Sequence, residues 1–157
     1  ERIEGYIALG EKEGATLVVD GRGLKVPGHE NGFFTGGTLF DHVTPAMRIY
    51  REETFGPVKC IVRVQSTEEA IACANDNEYG LAAAVFGRDL ARAFNVARRI
   101  DSGICHINAP TVHDEAQMPF GGVKGSGYGR FGGRAGVESF TELRWVTMQT
   151  TPRHYPF

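Results

Sequence analysis

A chain of 157 residues with 41% hydrophobic and 23% charged residues has the size and balance of one globular domain with a sizeable core. A formal net charge of −2 excludes the clustered basic footprint of a nucleic-acid-binding surface, and no apolar run approaches the ~20 residues of a membrane-spanning helix. Cys60, Cys73 and Cys105, odd in number and without C-x-x-C spacing, fit a reducing cytoplasm better than a disulfide framework.

The opening stretch, ERIEGYIALGEKEG, reads as helix, with Ile3, Tyr6 and Ile7 at i, i+3 and i+4. No Ser, Thr, Asp or Asn stands ahead of Glu1 to cap it, so the helix is entered midway and the chain reads as cut from something longer. ATLVVDG follows as a strand ended by a turn. GRGLKVPGHENG is loop by its Gly, Pro, His and Asn content, and FFTGGTLFDHV is a second extended stretch interrupted at Gly36-Gly37. REETFGPVKC, residues 51–60, has too much order for a solvated loop. Two adjacent carboxylates, Glu52 and Glu53, stand before a Phe55-Gly56-Pro57 break and a switch into apolar alternation.

VKCIVRVQ (58–65) alternates Val58, Cys60, Val62 and Val64 on one face and is rich in β-branched residues, which predicts a strand. Ser66 with Glu69 makes a capping box, each side chain satisfying a backbone donor of the other residue, and opens a helix running to about Asn75. Ala70, Ile71 and Ala74 form its inner face. LAAAVF (81–86) reads as a buried strand. Asp89 caps the next helix, on which Leu90, Phe94, Ala97 and Ile100 recur at helical spacing, and GICHIN (103–108) is the third strand. Strand, helix, strand, helix, strand predicts an α/β fold: a parallel sheet with right-handed βαβ crossovers. Ligands collect beyond the carboxyl ends of such strands, where Asn108 and APTVHDEAQMPFGG leave the third one. Near the end, RWVTMQ (144–149) sets Trp145, Thr147 and Gln149 against Val146 and Met148. It reads as a half-apolar terminal strand that either pairs with another chain or docks on its own domain.

Few of these segments carry chemistry by themselves. Gly127, Gly129 and Gly132 spell G-x-G-x-x-G, yet no strand directly precedes them and no acidic residue stands about twenty positions on, so a glycine loop passing tightly between packed elements is the better reading. His113-Asp114-Glu115 offers metal-ligand types, but consecutive residues rarely converge on one ion, and ordinary loop hydrogen bonds account for them; no metal site is expected. Ser126 lacks a G-x-S-x-G elbow, and Cys60 and Cys105 lie in strands without a basic neighbour to lower their pKa. No catalytic residue is therefore expected in this chain. At the corner, Glu53 could accept hydrogen bonds from a vicinal diol, as acidic residues do for ribose, and Phe55 could lie against a flat ring. The plain alternative is a solvated carboxylate and a core phenylalanine.

EETFGPV (52–58), ANDNEYGLAAAVFGRD (74–89) and INAPTVHDEAQMPFGGVKGSGYGR (107–130) resemble three successive motifs of the aldehyde dehydrogenase superfamily, in the family order. The resemblance runs from Ile3 to about Met148 and is to the last part of such enzymes. It implies a catalytic-domain portion at 1–139 and an oligomerisation arm at 140–157, with residues 144–149 adding to a neighbouring subunit of a homo-oligomer. It also implies NAD or NADP as cofactor, Glu53 on the nicotinamide-side ribose and Phe55 against the nicotinamide ring. The segment from Ala109 to Phe120 would wall the aldehyde entrance, with Phe120 and Val112 as its substrate contacts. Many members carry Glu after the Gly-Arg of the glycine loop, where this chain has Phe131. With PTVHDEAQMPFGG, that departure resembles the branch oxidising aromatic aldehydes such as salicylaldehyde, benzaldehyde or vanillin. The family's chemistry is thiolate attack on the aldehyde, hydride transfer to the cofactor and hydrolysis of the thioester. Its Gly-Gln-x-Cys and Glu-Leu-Gly-Gly motifs do not occur here, so the chain by itself would be inactive. A non-catalytic oligomerisation or regulatory module of the same fold is the alternative.

Overall fold

The computed structural model describes residues 1–156, which fall into two compact units, Glu1–Cys73 and Ala74 onward. The first begins with α1 (Arg2–Lys12), β1 (Thr16–Val19), β2 (Thr38–Asp41), α2 (Arg48–Arg51) and β3 (Val58–Cys60). The three strands lie in the order β1-β2-β3. β1 runs antiparallel to β2, with Leu17 opposite Phe40, and β3 runs parallel to it, with Cys60 opposite Phe40. Phe40 and Ile7 are fully buried, and Val43, Met47, Ile49 and Ala15 close the core around them. The alternation foreseen for 58–65 holds in packing, since Val58 and Val62 lie against this core. The regular strand ends early, at Cys60, and Ile61 continues the pairing by donating its N–H to Phe40 O and accepting from Val43 N.

α3 (Thr67–Asn75) starts at its capping box in a shifted form. Glu69 N–H donates to Ser66 Oγ at 3.1 Å, while the Glu69 carboxylate reaches past Ser66 to accept from Gln65 N–H at 2.6 Å. Asp41, at the end of β2, accepts from Arg63 through both carboxylate oxygens and from His42 N–H. Those donors hold its carboxyl below the usual carboxylate range, Arg63 contributing most.

The second unit contains β4 (Tyr79–Gly80), β5 (Ala82–Val85), α4 (Leu90–Ala97), β6 (Ile104–Ile107), β7 (Val123–Lys124) and α5 (Gly133–Ser139). β5 and β6 pair in parallel, Ala82 opposite Ile104 and Val85 opposite Ile107, and α4 crosses between them and packs on both. This is the expected βαβ crossover, and the α/β class holds. The expected single βαβαβ sheet divides: β3 takes its backbone bonds from β2, and β5 and β6 take theirs from each other. Periodicity identifies strands, but the neighbour a strand bonds to is set by distant parts of the chain. Asp89 caps α4 as foreseen, accepting from Arg92 N–H at 3.0 Å. The buried residue of α4 is Ala93, whereas Leu90 and Phe94 are 63% and 60% exposed, so the larger apolar side chains of the expected face are left uncovered.

The glycine-rich stretch serves close packing. A Cβ on Gly103 would overlap the Gly121 carbonyl, so the start of β6 can meet the glycine loop only without a side chain. Phe120 and Phe131 exchange both backbone hydrogen bonds, at 2.7 and 2.8 Å, closing that loop. Lys124 donates to the carbonyls of Asn75 and Asn77, at 2.9 and 3.3 Å, where α3 ends. Beyond α5 the backbone from 141 to 150 is irregular and exposed, and the strand expected at 144–149 does not form. A strand needs a partner edge for its hydrogen bonds, and this segment has none among the described residues. No helix of the described residues is long and apolar enough to cross a membrane.

Candidate functional site

The corner that follows α2 is clamped from both sides. Arg48 donates to both oxygens of Glu52, at 2.7 and 3.0 Å, and Tyr6 Oη donates to the same carboxylate at 2.8 Å. These charge-assisted bonds keep the Glu52 carboxyl below its usual range, Arg48 first and Tyr6 second. Arg2 donates to the backbone carbonyl of Glu53 at 3.0 Å, and Thr38 N–H to Pro57 O at 2.8 Å. Gly56 lies so close to Ile3 of α1 that a Cβ there would sit 2.7 Å from Ile3 Cδ1.

The two adjacent glutamates therefore do different work. Glu52 ties the corner to α1 and α2. The Glu53 carboxylate is exposed and has no hydrogen-bonding or ionic partner among the described residues. Phe55 is held at φ +51, a conformation costly for a non-glycine residue, and its ring is 77% exposed. Phe55 is not part of the buried core of this unit. The clamps compel a backbone turn that points an unpaired carboxylate and an aromatic ring outward, two residues apart in sequence. A hydrogen-bond acceptor beside an aromatic face could hold a ribose diol, which donates, and a flat heteroaromatic ring.

In the second unit, a cavity of ≈ 410 Å³ opens beside β6 and the segment after it. Its lining includes Cys105 and His106 from the strand, His113 and Glu115 from the loop, and Met118 and Phe120 beyond them. Phe120, expected as a substrate contact, is 38% exposed and is among the residues lining this cavity. Val112 is 91% exposed and stands outside that lining. Glu53 and Phe55 belong to the first unit, Phe120 and Val112 to the second.

His113 and Glu115 make the ordinary loop contact expected of them: Nε2 of the imidazole lies 3.2 Å from Glu115 Oε1, and Gln117 donates to the other oxygen. The His113 ring meets the His106 ring edge-on, at 5.3 Å between centroids and 81° between planes. His106 escaped the sequence reading, since a histidine between Cys105 and Ile107 in a strand gives no signal of its own. Ser126 is structural: its hydroxyl accepts from Gly80 N–H at 3.0 Å. Burial pushes the thiols of Cys60 and Cys105 up, away from nucleophilic ionisation. Asn108, at φ +56, closes the carboxyl end of the β5–β6 ladder by accepting from Gly87 N–H and donating to Gly87 O.

The sequence model of the aldehyde dehydrogenase family matches residues 1–146. The chain belongs to the aldehyde dehydrogenase family. It is 55% identical to a vanillin dehydrogenase of Pseudomonas sp. (strain HR199 / DSM 7063), over 99% of this chain and 31% of that one. A solved salicylaldehyde dehydrogenase from Pseudomonas putida G7, complexed with salicylaldehyde, superposes with a TM-score of 0.85 at 46% identity, covering 99% of this chain and 31% of that one. An aldehyde dehydrogenase from Mycobacterium tuberculosis complexed with NAD+ gives 0.81 at 44% identity, over 90% and 28%. The chain thus spans about 31% of the length of the curated relatives it matches.

Proposed function

We propose that these residues are the C-terminal portion of an NAD(P)-dependent aldehyde dehydrogenase that oxidises an aromatic aldehyde to its carboxylic acid. The observation that carries this reading is the clamped corner, with Glu53 and Phe55 turned outward inside a chain of this family. NAD(P), when bound, supplies the hydride acceptor. Toward it, the Glu53 carboxylate accepts hydrogen bonds from the ribose hydroxyls and the Phe55 ring fixes the plane of the nicotinamide. The bonds to Glu52 keep both from drifting. Phe120, with Met118, gives the aldehyde an apolar wall, and Val112, exposed on the same segment, is a second substrate contact. Vanillin and salicylaldehyde dehydrogenases among the relatives favour an aromatic substrate.

Residues 140–157 form an arm that completes a strand pairing in a homo-oligomer. Trp145, Val146 and Met148 are 91%, 73% and 85% exposed among the described residues, which supports that assignment. Three free cysteines suit a reducing cytoplasm.

The test is to express the full-length protein and follow reduced nicotinamide with benzaldehyde, salicylaldehyde and vanillin, using NAD and NADP in turn. Turnover of the aromatic aldehydes is expected from the full-length protein and none from residues 1–157 alone. Oxidation confined to small aliphatic aldehydes would remove the aromatic assignment. Turnover by the isolated segment would remove the reading altogether.

A further inference from the structure

We infer that His113, oriented by Glu115, is a specificity residue that reads a hydroxyl group on the aromatic ring of the substrate. The inference rests on the aromatic-aldehyde reading above and concerns the same cavity. At ≈ 410 Å³ the cavity falls within the range of small-molecule sites, about 300–1,000 Å³. Its apolar lining, Met118 and Phe120, suits a benzene ring, but an unsubstituted ring gives the imidazoles in the wall nothing to bond.

Of the two imidazoles, His113 has a nitrogen available for a hydroxyl group. Glu115 Oε1 lies 3.2 Å from Nε2 of His113, so the carboxylate engages that nitrogen and leaves Nδ1 as the one available to a ligand hydroxyl. No partner engages Nδ1 among the described residues, although the side chain is 51% exposed. The edge-on contact with His106 restrains the ring plane. His106, also in the lining, adds a second observation: its Nε2 is closed to solvent and has no hydrogen-bond partner among the described residues. A buried polar atom left unpaired is costly in a wall that only packs. The carboxylates of Asp114 and Glu115 at the same wall disfavour a phenolate, so the group read is a neutral O–H donating to nitrogen.

The experiment compares kcat/KM for 2- and 4-hydroxybenzaldehyde with that for benzaldehyde in the full-length enzyme. Three variants are used: H113F, which keeps a planar ring; H113N, whose amide oxygen falls near the position of Nδ1; and E115A, which frees the ring. H113F should lower the ratio of hydroxylated to unsubstituted aldehyde about five- to tenfold, the worth of one neutral hydrogen bond. The loss should fall mainly in KM, H113N should recover part of it, and E115A should show a smaller loss of the same sign. Equal losses on both aldehydes in H113F and E115A would make the pair structural and overturn the inference, as would an unchanged ratio. Failure of the wild-type enzyme to oxidise any benzaldehyde would instead overturn the functional reading on which the inference stands.

Discussion

Adjacent carboxylates with opposite surroundings allow a sharp test of the corner. Glu52 accepts side-chain bonds from Tyr6 and twice from Arg48, whereas the Glu53 side chain makes none. Glu53→Gln in the full-length enzyme should therefore leave folding within about 0.5 kcal/mol, as for exposed positions without partners. Its cost should appear with the cofactor. Charge-assisted hydrogen bonds to a ligand are worth roughly 1.5–3 kcal/mol, and an amide keeps an acceptor but not the charge. At about 1.4 kcal/mol per decade, that corresponds to a tenfold to hundredfold loss in cofactor affinity and hydride transfer together. Glu52→Gln should do the reverse, lowering thermal stability first and slowing hydride transfer only as the corner loosens. Stopped-flow single turnovers report hydride transfer, and thermal unfolding reports the fold. An unaltered hydride-transfer rate and cofactor Kd in Glu53→Gln would remove Glu53 from the site. A large fall in its melting temperature would show that the carboxylate has a structural partner.

Asp89→Ala removes the acceptor for Arg92 N–H at the start of α4 and should cost about 1 kcal/mol, read as a lower urea midpoint with unchanged slope. The folded Asp41 carboxyl lies below its usual 3.8 because Arg63 favours the ionised form. Its contribution to stability is thus complete above about pH 3.8 and disappears as pH falls through the depressed folded value. Asp41→Asn should lower the melting temperature at neutral pH and flatten its fall towards acid; an unchanged acid limb would count against the Arg63 pair. Deleting residues 144–157 from the full-length enzyme should shift it towards monomers in light scattering, and an unchanged oligomer mass would dismiss the arm.

How much of this protein was legible beforehand depends on the range of each interaction. The sequence by itself determined what lies within a few residues: the helix carrying Ile3, Tyr6 and Ile7, the caps at Ser66 and Asp89, the strands around Val58, Ala83 and Cys105, and the Phe55-Gly56-Pro57 break. Periods of two and 3.6, and side chains that bond their own backbone, are local properties. The family motifs singled out Glu53, Phe55 and Phe120 as candidates, though nothing in EE alone says which glutamate is clamped. Tertiary structure decided that, because Tyr6 and Arg2 approach the corner from α1, some fifty residues away. It also decided that β3 bonds to β2 and β5 to β6, that Ala93 is buried on α4 while Phe94 is exposed, and that His106 meets His113. Each of these is a choice of partner between distant segments, and it is made only when the folded backbone brings their donors, acceptors and surfaces together.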